Sequence, residues 1–246
     1  MRTILIDGDI VLYEVTLACE TPINWGDDFW TLHSDFREAT QRFDCWIADA
    51  ASRLNADKVV VAMSGSENWR KGVLPTYKSN RKGKRKPLVF HELKQYCRDV
   101  YRTFEMNNLE ADDVLGLMCG SPGLGRIKGE KIVITIDKDL KTVPGLHYDP
   151  GHPERGVIEV DKDQADYNHL FQTLTGDAVD GYSGCPGIGP ARAKRVLEYP
   201  CWGAVVEAYE VAGLGEEDAL IQARVARILR WGEYNLKKKE VRLWNP

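Results

Sequence analysis

Three short runs of aliphatic and β-branched residues, TILI at 3–6, VVVAM at 59–63 and KIVITI at 131–136, limit the fold most strongly. Each is nearly free of polar side chains and bounded by them, the pattern of a strand buried on both faces. Between them the apolar spacing changes to the helical period. Residues 36–54 carry Phe36, Phe43, Trp46, Ile47, Ala50 and Leu54 along one stripe, and 88–104 do so with Leu93, Tyr96, Cys97, Val100 and Tyr101. Strand, helix, strand alternation predicts an α/β chain, its mainly parallel central sheet flanked by helices. Beyond Val160 no strand-like run appears, and helices are expected at 163–174, 190–198 and 218–231 between glycine turns. The expected division is an α/β core at 1–160, with a basic loop or arch at about 70–105, and a helical lobe at 161–246 integrated with the core.

Several classes are excluded at once. The longest uncharged run, 114–125, has 12 residues, short of the roughly 18 that a spanning helix needs, so no membrane association is expected. Asp7 and Asp9 interrupt the stretch where a secretory signal would be continuous, which predicts a cytoplasmic protein. The six cysteines lie at least 16 residues apart, without zinc-knuckle or CxxC spacing, and read as reduced thiols. The five histidines form no HxH or HExxH pair, which leaves zinc hydrolase chemistry without support. The glycine cluster at 120–129 lacks the Lys and Ser/Thr of a nucleotide loop and reads as a helix stop, which removes an ATPase.

Acidic residues fall where a parallel sheet binds its ligands, beyond the carboxyl ends of the strands. Asp7 closes the first strand, and Asp137 closes the third in Asp137-Lys138-Asp139. Singly, each suits a turn or a cap. Glu110, Asp112 and Asp113 lie within four residues just before an apolar helix, more carboxylates than capping requires, and their mutual repulsion calls for a cation. Asp177 and Asp180 precede the glycine turn of the helical lobe. Oxygen-only ligands point to a hard ion, Mg²⁺ or Mn²⁺, in two or more copies. Two such ions about 4 Å apart activate a water and stabilise the leaving oxygen in phosphodiester displacement.

That chemistry suits a polyanionic substrate, and the charge distribution agrees. Residues 70–86 hold eight basic and no acidic side chains, leaving the remainder of the chain at −12 against −4 overall. Read as a helix, Tyr77-Lys78-Ser79-Asn80-Arg81 puts Lys78 and Arg81 at i and i+3, where both can clamp a phosphate. Tyr77 is then placed to stack on a terminal base, beside the plainer reading of an amphipathic surface residue. In the lobe, a turn with Gly187, Ile188 and Gly189 enters a helix carrying Arg192 and Lys194, a backbone grip suited to phosphates without sequence readout.

Taken together these residues resemble the 5′-nuclease superfamily, which includes flap endonucleases and the 5′→3′ exonuclease domain of bacterial DNA polymerase I. The resemblance rests on Ile6-Asp7-Gly8, Tyr77-Lys78 with Asn80-Arg81, Glu110-Ala111-Asp112-Asp113, Asp137-Lys138-Asp139, and Gly176-Asp177 with Asp180 before Pro186-Gly187-Ile188-Gly189. The chain is also similar to the stand-alone 5′→3′ exonucleases of short-tailed lytic bacteriophages, through Asn68-Trp69-Arg70-Lys71, Asp180 to Gly184, Ala226 to Arg230, Glu233-Tyr234-Asn235 and Leu243-Trp244. It implies a PIN-like core and a helix-three-turn-helix whose carbonyls hold K⁺. It also implies metal ligation by Asp7, Glu110, Asp112, Asp113, Asp137, Asp139, Asp177 and Asp180, directly or through water. Lys78 and Arg81 would contact the scissile phosphate and Arg70 a nearby one. The implied activity is 5′→3′ hydrolysis of duplex DNA and of RNA in RNA–DNA hybrids, in a host cytoplasm, with a single-strand-binding protein as replication partner. A 5′ flap endonuclease and a non-catalytic DNA-binding protein are the rival readings. One departure stands out: many relatives carry Phe-Asp where this chain has Met63-Ser64. Asp9 is placed either to compensate or to serve a turn.

Overall fold

The computed structural model describes residues 1–246. The chain opens with β1 (Arg2–Asp7) and α1 (Gly8–Ala18), then a ribbon of β2 (Thr21–Asn24) and β3 (Trp30–His33) leads to α2 (Phe36–Arg53) and β4 (Lys58–Ser64). Next come a short α3 (Arg70–Val73), α4 (Phe90–Val100), β5 (Thr103–Met106), α5 (Ala111–Gly120) and β6 (Glu130–Ile134). After β7 (Gly145–Tyr148) and β8 (Val157–Val160) the lobe runs through α6 (Lys162–Thr175), α7 (Pro190–Val196), α8 (Trp202–Val211) and α9 (Glu216–Ala226). A ribbon of β9 (Tyr234–Asn235) and β10 (Glu240–Val241) lies near the end.

Six strands form one sheet in the order β5-β4-β1-β6-β7-β8, parallel except for β8 against β7. The three runs singled out in the sequence are its middle, and alternation along them builds two cores. Ile4, Ile6, Val61, Met63, Ile132 and Ile134 face Leu12 of α1, Phe43 of α2 and Leu93 of α4. Leu5, Val60, Ala62 and Val133 face Val114, Leu115 and Met118 of α5. Each fully buried aliphatic side chain contributes about 1.5–3 kcal/mol. Because β1, β4 and β6 run parallel and adjacent, Asp7 and Ser64 close neighbouring strands at one sheet edge, and Asp137 follows β6 by three residues.

Several expectations are revised. The helix expected over 88–104 ends at Val100, and Thr103 and Phe104 enter edge strand β5 instead. The third strand stops at Ile134, and the Asp137 N–H bonds back to the Thr135 hydroxyl at 3.0 Å, bending the chain before the acid. The helix expected over 218–231 ends at Ala226, because Ile228 and Leu229 leave it to join the core between sheet and α5. The sequence pattern does not predict β2, β3, β7 to β10 or helices α1, α3 and α8. The lobe has its own cluster, including Leu174, Leu197, Val205 and Tyr209. Between α6 and α7 the chain doubles on itself so closely that a Cβ at Gly176 (φ +65°) would meet the backbone of Ser183 at 2.3 Å. Glycine is required there, and the tight loop carries Asp177 and Asp180. No helix is long and apolar enough to cross a membrane, and all six cysteines are unpaired.

Candidate active site

At the carboxyl ends of the central strands lies a cleft of about 620 Å³ lined by Asp7, Asp9, Glu110, Asp112, Asp137 and Asp180. The cationic segment supplies Lys78, Arg81, Lys84, Arg85 and Lys86 to the same cleft. Asp7 ends β1 and caps α1, with the Thr135 hydroxyl donating to its Oδ2 at 3.3 Å. Asp9, one residue into α1, accepts the Ser64 N–H at 3.2 Å, so its carboxylate lies at the end of β4, where Ser64 itself caps α5 by accepting the Ala111 N–H at 2.9 Å. Asp137 accepts the Asp139 N–H, and Asp139 is held in turn by the Gln172 amide at 2.6 Å.

These acids lack cationic partners, and the cost registers in their ionisation. Burial, then Asp9 and Asp137, push the Asp7 carboxyl up to about 7. Burial, Asp7 and Asp137 raise Asp112 well above the usual carboxylate range. Burial and Asp137 bring Asp139 to about 7. A hard divalent ion removes both the repulsion and the desolvation cost, and an all-oxygen donor set of this kind fits one.

Glu110, Asp113 and Asp180 are different. Lys78 Nζ donates to Glu110 and lies 3.4 Å from Asp180, while Arg81 donates to Asp180 at 2.6 Å. Burial raises the Glu110 carboxyl, but Arg70 and Lys78 outweigh it and hold the group at about 2. As the side chains lie, no three acidic, histidine or cysteine groups are gathered tightly enough to grip one ion, and Glu110 and Asp180 are drawn to these cations.

Three expected roles are corrected. Asp113 is fully buried and accepts from both Nη atoms of Arg70, from the Trp69 indole at 3.0 Å and from the Leu229 N–H at 3.2 Å. It is a structural anchor and turns away from the cleft. Arg70 is 2% exposed and has no surface to offer a phosphate. Tyr77 is 3% exposed, its hydroxyl donating to Glu110 and Asp180 at 3.0 Å each, so it cannot serve as an exposed stacking platform. Nor is its segment an α-helix: Lys78 is left-handed (φ +53°) before the single 3₁₀ turn Ser79–Arg81. Lys78 and Arg81 nonetheless converge on Asp180.

Asp177 lies near the Lys138 ammonium at 3.6 Å and caps its own loop through the Val179 and Asp180 N–H groups. Around the glycine turn, Gly187 and Gly189 are exposed, Ile188 packs against the lobe's cluster, and Arg192 and Lys194 project from α7 into solvent. Arg192 also donates to the Gly187 carbonyl at 2.8 Å. Thr135 and Gln172, which orient Asp7 and Asp139, went unnoticed in the sequence, where a lone Thr or Gln carries no signal.

With this geometry in hand, residues 2–146 match the family described as 5′-3′ exonuclease, N-terminal resolvase-like domain. The chain belongs to that family. It is 30% identical to the exodeoxyribonuclease of Enterobacteria phage T3, over 99% of this chain and 92% of that protein. It is also 30% identical to the exonuclease of Escherichia phage T7, over 99% and 93%. Its fold is similar to that of the T5 5′-exonuclease with bound zinc (TM-score 0.69, 18% identity, 92% of this chain and 89% of that one). A T5 flap endonuclease variant in complex with DNA and metal ions aligns with a TM-score of 0.66 at 15% identity, over 92% and 89%. As a member of the 5′-3′ exonuclease family the chain is a nuclease, and its mostly parallel sheet with flanking helices is the fold that the sequence led us to expect.

Proposed function

We propose that this chain is a Mg²⁺-dependent 5′→3′ exodeoxyribonuclease that shortens duplex DNA from its 5′ ends and removes RNA from RNA–DNA hybrids. One observation carries the proposal: unpartnered, mutually repelling carboxylates at the sheet edge share a cleft with a cationic segment. Divalent metal use is supported by the zinc-bound T5 5′-exonuclease, and DNA binding by the DNA-bound T5 flap endonuclease variant. Mg²⁺ is our assignment, from a donor set made only of oxygens.

Asp7, Asp112 and Asp137 would hold the ions, with Glu110, Asp139, Asp177 and Asp180 completing the shell directly or through water. Two bound ions supply an activated water and an electrophilic clamp on the leaving oxygen. The chain's own residues do the rest. Lys78 and Arg81 exchange their carboxylate partners for the scissile phosphate and offset its developing charge. Lys84, Arg85 and Lys86, lining the same cleft, draw the backbone towards it. The turn from α6 to α7 would act as a helix-three-turn-helix, with its carbonyls available to a monovalent cation such as K⁺ and with Arg192 and Lys194 available to phosphates. In a host cytoplasm, a single-strand-binding protein would receive the strand that this activity exposes.

End-labelled duplexes with blunt, recessed and flapped 5′ termini test the reading. Nucleotides should leave recessed and blunt 5′ ends in Mg²⁺ and not in EDTA. Cleavage that survives chelation would contradict the mechanism, and faster cutting of the flap would favour a flap endonuclease. A label-free duplex carrying a 5′ RNA segment tests primer removal, and replacing K⁺ by Na⁺ tests the turn.

A further inference from the structure

Arg70 is distinguished by the saturation of its donors. A guanidinium presents five N–H groups in a fixed fork, and here all five are taken. Nε donates to the Val225 carbonyl at 2.9 Å. Nη1 donates to Glu110 Oε2 at 3.0 Å and Asp113 Oδ2 at 2.7 Å. Nη2 donates to Asp113 Oδ1 at 2.8 Å and the Arg227 carbonyl at 2.6 Å. The Trp69 ring lies 4.6 Å from the guanidinium carbon, and the Tyr77 ring 5.8 Å. Neither a free donor nor an approach is left for DNA.

The acceptors come from two distant parts of the chain. Glu110 and Asp113 begin α5 at the acidic edge, and Val225 and Arg227 end α9 in the lobe. The last carbonyls of a helix have no partner within it, so a buried fork is a strong way to satisfy them. Asp113 extends the junction by accepting the Trp69 indole and the Leu229 N–H just beyond α9. One side chain thus joins the end of the lobe to the acid that faces the cleft.

We propose that Arg70 is a positioning residue of the exonuclease reaction: it orients Glu110 against the metal site, ties that orientation to the seating of the helical lobe, and does not touch DNA. The inference rests on reading Glu110 as a residue of the metal site. The experiment compares Arg70→Lys, Arg70→Met and Trp69→Phe in the full chain, with kcat and KM in Mg²⁺ and duplex affinity against salt in EDTA. Lysine keeps the charge but not the fork. Both Arg70 variants should lose about 10–100-fold in kcat and require more Mg²⁺ for half-maximal rate. Their DNA affinity in EDTA and its salt dependence should match the parent chain. A phosphate contact would instead lower the salt slope by about one and be largely rescued by lysine, and either result overturns the proposal. If the Arg70 variants do not fold, Trp69→Phe decides, since it takes one N–H from Asp113 and reduces the ring over the guanidinium while leaving Arg70 in place. A fall in kcat at constant KM supports the coupling, and an unchanged kcat overturns it. A parent chain inactive at every Mg²⁺ concentration would remove the functional reading itself. An active parent with equally active variants removes only the role of Arg70.

Discussion

The acids in and behind the cleft fall into two sets, distinguished by how their charge is met. Glu110, Asp113 and Asp180 are paired with cations from one stretch of chain, Arg70, Lys78 and Arg81. Asp7, Asp112 and Asp137 have no cationic side chain bonded to them; burial raises the Asp7 carboxyl, helped by Asp9 and Asp137, and burial with Asp7 and Asp137 raises Asp112. Within the first set Asp113 is built to persist, since it alone closes contacts among α3, α5 and the segment after α9, whereas Glu110 and Asp180 are held by Lys78 and Arg81. The second is held together by the sheet against its own repulsion, a state that a divalent ion relieves. The difference teaches that carboxylates alike in acidity and close in space are told apart here by whether a cation meets them.

The contrast can be broken most directly at adjacent residues. Asp112→Asn should lower turnover by roughly 10³-fold, about 4 kcal/mol in the barrier, while duplex binding persists. Relief of repulsion should raise the melting temperature in EDTA by a few degrees, at about 2–4 °C per kcal/mol. A lower melting temperature would place Asp112 in the structural set. Asp113→Ala leaves the Arg70 guanidinium buried without its main partner and should cost about 3–5 kcal/mol in urea unfolding. Full stability with lost activity would move Asp113 to the other set.

The bare acids, Asp139 beside Asp137 among them, and the paired ones also predict opposite pH dependences. Asp7 and Asp139 near 7 bind protons in the folded chain that the unfolded chain has released, so they make stability in EDTA fall as pH rises from about 4 to 7. Glu110, held at about 2, binds fewer protons folded than unfolded. Its contribution is present above about 4.5 and disappears as pH falls towards 2. Stability in EDTA should therefore peak on the acid side of neutrality, and Mg²⁺ should restore what is lost at pH 7. A melting profile insensitive to Mg²⁺ at pH 7 would refute the assignment of the bare set. Smallest is Lys194→Gln, outside both sets on the exposed face of α7. It should weaken duplex binding alike for all sequences and lower the salt slope by about one, whereas no change of slope would remove α7 from the DNA surface.

Much of this was legible beforehand because it depends on local pattern. The strands β1, β4 and β6 are buried on both faces, so their runs are nearly continuous, and their ends mark the sheet edge. The short outer strands β5, β7 and β8 carry no such pattern, since pairing with a neighbour creates them. Asp112 and Asp113 look equivalent in sequence, yet successive helical residues point about 100° apart, so that one faces the cleft and the other the core. Arg70 and Tyr77 sit in or beside a charged run that suggested solvent. Their burial comes from Val225, Arg227 and Asp180, more than a hundred residues away.

From its sequence alone, this chain determined its α/β class, its family and the group of acids from which a metal site could be made, because strand patterning and short motifs act over a few residues. Only the tertiary structure divided those acids into cation-paired and bare carboxylates. That division depends on which distant cations and carbonyls arrive beside each carboxylate, and in a buried setting a charge is governed by its neighbours more than by its own chemistry.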